Sequence, residues 1–160
     1  GGIIWDGALV LSNVLENINA NNQTMGNPDC HVVDLGCGTG LCGITAAKLG
    51  YRTTLTDREC DLATVNIKHA FPEGRSVVDI EPVNLSWECS TGSDNAIRTE
   101  EQEMSVTAKD LLKLRGKGDI IVGAEITVLI KQQPILVNTI ADLCDGNPLA
   151  VVLLSFDEAP

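Results

Sequence analysis

Hydrophobic positions along this chain alternate between helical spacing and short continuous runs, a pattern typical of helices that alternate with buried strands. Asp6 can cap a first helix, and a polar loop over residues 19–28 follows that helix. The apolar stripe of this helix is Leu11, Val14, Leu15 and Ile18. The run at 32–35 then predicts a buried strand, and residues 41–49 predict a short helix that ends at Gly50.

The rest of the chain predicts four more strands and three more helices. The strands are Tyr51–Thr56, residues 77–80, Asp119–Ala124 and Leu149–Phe156. The second of these can continue as far as Leu85. The helices start near Asp57, Leu111 and Pro134. Residues 88–118 are the least regular part, where we expect a polar loop or an insertion before the short helix. This order predicts an α/β fold with a doubly wound, mostly parallel sheet, in a single domain over residues 1–160.

The composition fits one domain with its own core, because 44% of the 160 residues are apolar. No apolar stretch approaches the roughly 18 residues of a membrane span, and no signal peptide opens the chain. We therefore expect no membrane partner.

The formal net charge of −11 argues against a surface that binds nucleic acid, because such binding depends on Lys and Arg contacts to phosphates. The charge fits a basic partner such as a lysine-rich protein segment, which an acidic surface would attract. The alternative is that the charge only keeps the protein soluble, and for the charge alone this is the better explanation.

Six cysteines are present, and no two of them form a C-x-x-C pair. They are Cys30, Cys37, Cys42, Cys60, Cys89 and Cys144. We interpret them as small buried side chains of a reducing compartment, without disulfides or zinc. His31 and His69 lie far apart without ligand motifs, so we expect no metal site. A location in the cytoplasm, with the nucleus as a second location, follows from this interpretation.

The segment His31–Gly40 joins the first predicted strand to the next helix through three glycines spaced two apart, Gly36, Gly38 and Gly40. Glycine lets a backbone approach a ligand without a Cβ clash and adopt positive φ. The spacing is G-x-G-x-G, whereas the dinucleotide fingerprint G-x-G-x-x-G would need glycine at Leu41. With Asp34 just before it, the segment is similar to motif I of the S-adenosylmethionine-dependent methyltransferases. The alternative is a tight strand–helix turn without a ligand.

Further polar and aromatic groups follow other predicted strands. Asp57 comes 23 residues after Asp34, close to the spacing at which an acid binds ribose hydroxyls in a related fold. Its alternative role is the N-cap of the next helix. The indole of Trp87 follows the third strand and could lie against an adenine ring. For Trp87 and for Trp5, packing in the core is the alternative.

Several motifs in order resemble the family-16 methyltransferases, the seven-strand, non-SET protein lysine methyltransferases. The matching segments are Ile4–Glu16, Val33–Ile44, Leu55–Arg58, Val83–Trp87 and Ile121–Glu125. Together they cover nearly the whole chain apart from residues 88–118. The resemblance implies a Rossmann-like class I methyltransferase fold and an S-adenosylmethionine site. The residues implied for that site are Trp5, Asp34, Gly36, Gly38, Gly40, Asp57, Trp87 and the backbone at Ala124.

The resemblance also implies a lysine channel at the end of the fourth strand, where the family has an acid followed three residues later by an aromatic residue. Here the acid is Glu125, the candidate catalytic residue, and the aromatic position is Val128. Phe156 is an aromatic residue that could reach the channel mouth. A solvated helix cap is the alternative role of Glu125.

The family sheet continues for two more strands, and this chain ends directly after its fifth predicted strand. We therefore expect a fragment, or a shortened member whose fifth strand pairs with another chain. The resemblance implies methylation of lysine on a protein substrate. A small-molecule methyltransferase and a non-catalytic cofactor-binding module are the alternatives.

Overall fold

The computed structural model describes residues 2–21, 27–72, 79–87, 106–126 and 133–156. Within these ranges the chain forms five helices and five strands. In chain order they are α1 (Asp6–Asn21), β1 (His31–Leu35), α2 (Leu41–Lys48), β2 (Arg52–Asp57), α3 (Asp61–Ala70), β3 (Ile80–Asn84), α4 (Ala108–Arg115), β4 (Ile120–Ala124), α5 (Gln133–Leu143) and β5 (Val151–Ser155). None of the helices in these ranges has the length and hydrophobicity of a membrane span.

All five strands pair in parallel, in the order β3-β2-β1-β4-β5. The chain moves outward from β1 through β2 to β3, and it then returns to place β4 on the opposite side of β1. The doubly wound parallel sheet predicted from the sequence is therefore confirmed. All five residues of β1 are buried, as expected for the central strand of a sheet covered on both faces.

Successive strand residues point to opposite faces of the sheet, so both faces present side chains to be buried. A layer of helices covers each face. On one face α1 and α2 pack over a cluster of buried side chains, which are Leu11, Leu15, Val32, Cys42, Ala46, Tyr51 and Val122. A smaller cluster joins α2 and α3 to β2 through Ile44, Leu55 and Ala63. On the other face α4 and α5 cover Val33, Leu35, Leu85, Ala108, Leu111, Ile121, Ile126, Leu136 and Leu143.

Some predicted boundaries are wrong by a few residues. Asp6 is the first residue of α1 and not a cap that precedes it. The helix predicted to start near Asp57 begins at Asp61, with Cys60 at its N-cap position, so Asp57 belongs to β2 and caps nothing. The fifth strand is shorter than predicted and ends at Ser155. The start predicted at Val77 lies outside the described residues.

The short helix predicted near Leu111 is confirmed as α4, which begins with a reciprocal capping arrangement. The Asp110 N–H donates to the Thr107 hydroxyl, and the Thr107 N–H donates to the Asp110 carboxylate. These bonds satisfy backbone donors that have no partner within the helix. The loop or insertion predicted before this helix lies over residues 88–105, outside the described residues.

The amino ends of the strands are held by a polar network around His31. Its Nε2 lies 2.8 Å from the Thr54 hydroxyl and its Nδ1 lies 3.1 Å from the Lys117 carbonyl oxygen. Burial lowers the pKa of His31, so the neutral ring is the form that fits. Arg115 forms ion pairs with Asp79 and Glu81 beside it. These contacts stabilise the amino ends of the strands. The carboxyl ends are the edge of the sheet where a ligand can bind.

Candidate functional site

The carboxyl ends of the five strands meet at one edge of the sheet, because all five run in the same direction. The strand order reverses between β1 and β4, and ligands of open α/β sheets bind outside the carboxyl ends at such a point. Gly36 follows β1, and Glu125 follows β4. Asp57 and Ser155 are the last residues of β2 and β5. The candidate site therefore lies at this edge.

The segment from Gly36 to Gly40, here called the glycine loop, joins β1 to α2. All three of its glycines have positive φ, at 69°, 52° and 82°. A Cβ built on Gly36 would lie 2.6 Å from Ile126 Cγ2 and 3.4 Å from Trp87 Cζ2, so this glycine permits close packing. A Cβ on Gly38 would meet nothing within 4 Å, because Gly38 faces open space. The middle of the loop is thus the part where a ligand can approach the backbone.

Asp57 holds the glycine loop at its exposed side. One carboxylate oxygen accepts a hydrogen bond from the Gly38 N–H at 2.9 Å, and the other accepts one from the Arg58 N–H at 2.8 Å. Carboxylate oxygens have further lone pairs, which can accept bonds from ligand hydroxyls.

A cleft of about 390 Å³ lies beside this pair, within the range of small-ligand sites. Its lining residues are Gly38, Asp57, Arg58, Glu59, Asp61 and Leu62. Three carboxylates against one guanidinium make the cleft acidic. A cationic ligand fits such a lining better than a phosphate does.

Asp34 lies behind the glycine loop, although the sequence assigned it to the lining of the cofactor site. Its side chain is only 2% exposed, and its carboxylate accepts a hydrogen bond from the Gly43 N–H of α2 at 2.8 Å. Burial raises the pKa of Asp34 from 3.8 to about 7, against the opposite effect of the Gly43 bond, and the nearby Asp57 raises it further. Asp34 therefore fixes the loop to the helix that follows it.

The thiol of Cys37 lies in the glycine loop and donates a hydrogen bond to Cys60. This bond and burial hold the pKa of Cys37 far above its ordinary value, with Asp34 and Asp57 adding to the effect. Cys60 in turn donates to the Val83 carbonyl oxygen at 3.3 Å. Because the thiolate is the reactive form of cysteine, the raised pKa makes this half-buried thiol a weak nucleophile. The described cysteines are all free.

The two tryptophans predicted for the site occupy different environments. Trp87 is half-buried, packs against the core on the α4–α5 face and lies beside Gly36. Trp5 precedes α1 and is 59% exposed. The structure therefore brings Trp87 to the glycine loop, whereas Trp5 stands at the surface.

Glu125 turns back under α1 directly after β4. Its φ is +57°, the left-handed region that non-glycine residues rarely adopt, and its N–H donates to the Ser155 carbonyl oxygen at 2.9 Å. Only 8% of Glu125 is exposed, so the alternative of a solvated helix cap is wrong. Ala124 precedes it, half-buried and in register with Ser155. Val128 lies outside the described residues.

Two residues of this edge were not predicted as site residues. Gly7, in the first turn of α1, is buried against the Glu125 carboxylate, and Ser155 contributes a buried hydroxyl beside it. Glycine in an otherwise regular amphipathic helix is unfavourable by about 1 kcal/mol relative to alanine. Its presence in the predicted helix therefore indicated that position 7 has a role other than helix formation. Phe156, predicted near a channel mouth, is 64% exposed. Which of these residues contact a cofactor stays a prediction.

The family model and the relatives that match this chain describe the same kind of protein. The family model described as "Lysine methyltransferase" matches residues 1–112. Protein N-lysine methyltransferase METTL21A of Danio rerio is 35% identical over 158 residues, which cover 96% of this chain and 59% of that protein. EEF1A lysine methyltransferase 3 of Mus musculus is 31% identical over 144 residues, covering 88% of this chain and 50% of that protein. The chain thus spans between half and three fifths of the length of these relatives.

Solved structures share the fold at low sequence identity. Magnesium protoporphyrin IX methyltransferase (ChlM) from Synechocystis PCC 6803 with bound SAH gives a TM-score of 0.55 at 15% identity, covering 91% of this chain and 58% of that one. The glycopeptide N-methyltransferase MtfA complexed with sinefungin gives a TM-score of 0.52 at 13% identity, and the match covers 96% of this chain and 51% of that one. The Rossmann-like fold of class I methyltransferases is confirmed.

The burial of Asp34 predicts a specific pH dependence of stability. Because its folded-state pKa lies above the unfolded value, the folded chain binds more protons between pH 3.8 and about 7, so the unfolding free energy falls as pH rises through that window. Asp34→Asn keeps an acceptor for the Gly43 N–H and should remove up to about 1.4 kcal/mol per pH unit of this slope. Denaturant unfolding between pH 4 and 8 measures it. Parallel curves for the unsubstituted chain and Asp34→Asn would contradict the prediction.

A ligand can occupy the open space at Gly38. We therefore predict that a side chain at this position prevents the ligand from binding. Gly38→Val should abolish cofactor binding, because the branched side chain would fill the cleft beside Asp57. Gly146→Val is the matched control, since Gly146 also has positive φ and open space around it but does not line the cleft. Both variants should lose similar stability from backbone strain. Calorimetric binding retained by Gly38→Val, or lost equally by both, would refute the assignment.

The position of Asp57 predicts that it contributes strongly to ligand affinity. Asp57→Ala should weaken cofactor binding by roughly 1.5–3 kcal/mol, the range for hydrogen bonds to a charged group. Asp61→Ala removes a carboxylate from the same cleft without a bond to the glycine loop, and we expect a much smaller loss. Isothermal titration of both variants measures the difference, and unchanged affinity in Asp57→Ala would show that Asp57 does not bind the ribose.

Proposed function

This chain belongs to the lysine methyltransferase family, and from that premise we propose that it transfers a methyl group from S-adenosylmethionine to a lysine side chain of a protein. The observation that carries the proposal is the arrangement of Gly38 and Asp57 beside the acidic cleft. The chain spans only 59% of the relative METTL21A, so its activity and its substrate are both part of the proposal.

The residues at the carboxyl edge fit S-adenosylmethionine. Gly38 leaves space for a ligand against the backbone, and Asp57 offers carboxylate oxygens for the two ribose hydroxyls. The same carboxylate disfavours a 2′-phosphate. The half-buried indole of Trp87 lies beside Gly36 and offers a face to the adenine ring. The acidic lining suits the positively charged sulfonium.

When bound, S-adenosylmethionine would supply an electrophilic methyl group: an amine lone pair forms the N–C bond as the C–S bond breaks in line, and S-adenosylhomocysteine leaves as a neutral thioether. A lysine ammonium has no free lone pair, so the chain must orient it and a base must accept one of its protons. Glu125 is our candidate for that base, because it follows β4 directly, next to the strand-order reversal. A buried, preorganised carboxylate attracts an ammonium more strongly than one in water does.

A basic protein segment is the substrate that the charge supports. The net charge of −11 and the carboxylates of the cleft attract lysine-bearing surfaces and repel phosphates. One relative is named for methylation of lysine in EEF1A, which makes EEF1A a first acceptor to try. We also propose a cytoplasmic location, since the described cysteines are all free thiols.

The function can be tested by transfer of tritium from labelled S-adenosylmethionine. The full chain is incubated with recombinant EEF1A or with a cell extract, and the labelled product is hydrolysed and separated. We expect tritium in methyllysine from protein, and micromolar-range cofactor binding by calorimetry. Glu125→Gln should reduce transfer at least tenfold with little change in cofactor affinity, and Gly38→Val should abolish both.

Other outcomes would identify the alternatives. Tritium confined to small molecules would refute lysine methylation and leave a small-molecule methyltransferase. Cofactor binding without transfer to either acceptor pool would indicate a non-catalytic binding module. A folded chain that binds no cofactor would refute the proposal altogether.

A further inference from the structure

The first turn of α1 lies directly over the carboxyl ends of β4 and β5. A Cβ built on Gly7 would overlap the Glu125 Oε1 atom and would lie 2.5 Å from the Ser155 Oγ atom. Real Cβ atoms do not approach other heavy atoms so closely. Glycine at position 7 therefore leaves a space, here called the Gly7 slot, that holds the Glu125 carboxylate and the Ser155 hydroxyl.

Ser155 contributes both its backbone and its side chain to the slot. Its carbonyl oxygen accepts the Glu125 N–H at 2.9 Å. Its hydroxyl oxygen is fully buried, and no atom of the described residues forms a hydrogen bond with it. A serine hydroxyl carries one donor hydrogen. The Glu125 carboxylate lies in the same slot without a hydrogen bond to this hydroxyl, so a small shift of either side chain is needed to join them.

The backbone of Glu125 shows that its position is imposed by its surroundings. A φ of +57° is unfavourable for a residue with a Cβ, and such a conformation persists only where neighbouring contacts hold it. Here the Ser155 carbonyl oxygen holds the amide, and the Gly7 slot encloses the side chain. Contacts from α1 and β5, more than a hundred residues before Glu125 and thirty residues after it, therefore help to place this residue.

We propose that Gly7 and Ser155 are positioning residues for Glu125, with Gly7 providing the slot and the Ser155 hydroxyl donating a hydrogen bond to the Glu125 carboxylate. The donated bond fixes one face of the carboxylate, so that its remaining lone pairs point toward the ammonium of a bound lysine. This last step rests on the proposed function, whereas the slot itself does not.

The slot is tested by unfolding, without any assay of activity. In the full chain, Gly7→Ala should lower the thermal midpoint by roughly 3–10 °C, because the added methyl group meets two polar atoms. In a Glu125→Ala/Ser155→Ala background both atoms are gone. The same substitution should then raise the midpoint, because alanine is the better helix former. An equal loss in both backgrounds would overturn the slot.

The positioning role is tested by a double-mutant cycle on transfer of tritium from labelled S-adenosylmethionine to cell-extract protein. Ser155→Ala should lower the initial rate roughly 10- to 150-fold, as expected for one hydrogen bond to a charged group, with unchanged cofactor affinity. In a Glu125→Gln background the same substitution should change the rate less than twofold. Ser12→Ala, which removes a buried hydroxyl bonded to the Ala8 carbonyl oxygen, is the control and should keep the wild-type rate.

The two measurements separate the possible failures. A loss from Ser155→Ala that is the same with Glu125 and with Gln at position 125 would overturn the positioning role, because Ser155 would then act independently. An unchanged rate in Ser155→Ala would overturn it as well. If the unsubstituted chain transfers no label, the proposed function and the lysine step fail together, and the unfolding experiment still decides whether the slot exists.

Discussion

The site depends on a stretch of left-handed backbone that two carboxylates hold in place. The glycine loop leaves β1 with three positive φ values, a conformation that has little stability of its own. Asp57 binds its middle through the Gly38 N–H, and Asp34 binds the start of α2 through the Gly43 N–H. Each carboxylate satisfies a backbone donor that the turn would otherwise leave unpaired. The cleft exists because the loop is held from both sides.

The two carboxylates do this in different environments, and the difference separates their roles. Asp34 is enclosed between β1 and α2, where its charge is costly and its pKa rises to about 7. Asp57 stands at the exposed side of the loop, where it lines the cleft. A buried acid is suited to fixing a structure, whereas an acid at the rim can also receive a ligand. The loop therefore has one buried support and one support that stands at the cleft.

The two ends of the sheet are specialised in a similar way. At the amino ends, His31, Thr54 and Arg115 bond to one another and to neighbouring backbone. At the carboxyl ends, Glu125 adopts an unfavourable backbone conformation under α1. The bonds at the amino ends stabilise the fold, while the unfavourable backbone conformation lies at the carboxyl ends. The exposed apolar residues of β5, such as Val152 and Leu154, lie at an edge of the described sheet.

The sequence by itself determined the alternation of elements, the glycine spacing and the place of Asp57 at the end of a strand. These are local properties, since hydrophobic period and glycine positions fix backbone conformation within a few residues. Only the tertiary structure decided that Asp34 lies behind the loop, that Trp5 is exposed, and that Glu125 lies buried beneath Gly7 and beside Ser155. The last of these relations joins residues far apart in the chain. It arises from the way α1 packs across β4 and β5, which no local pattern of residues specifies.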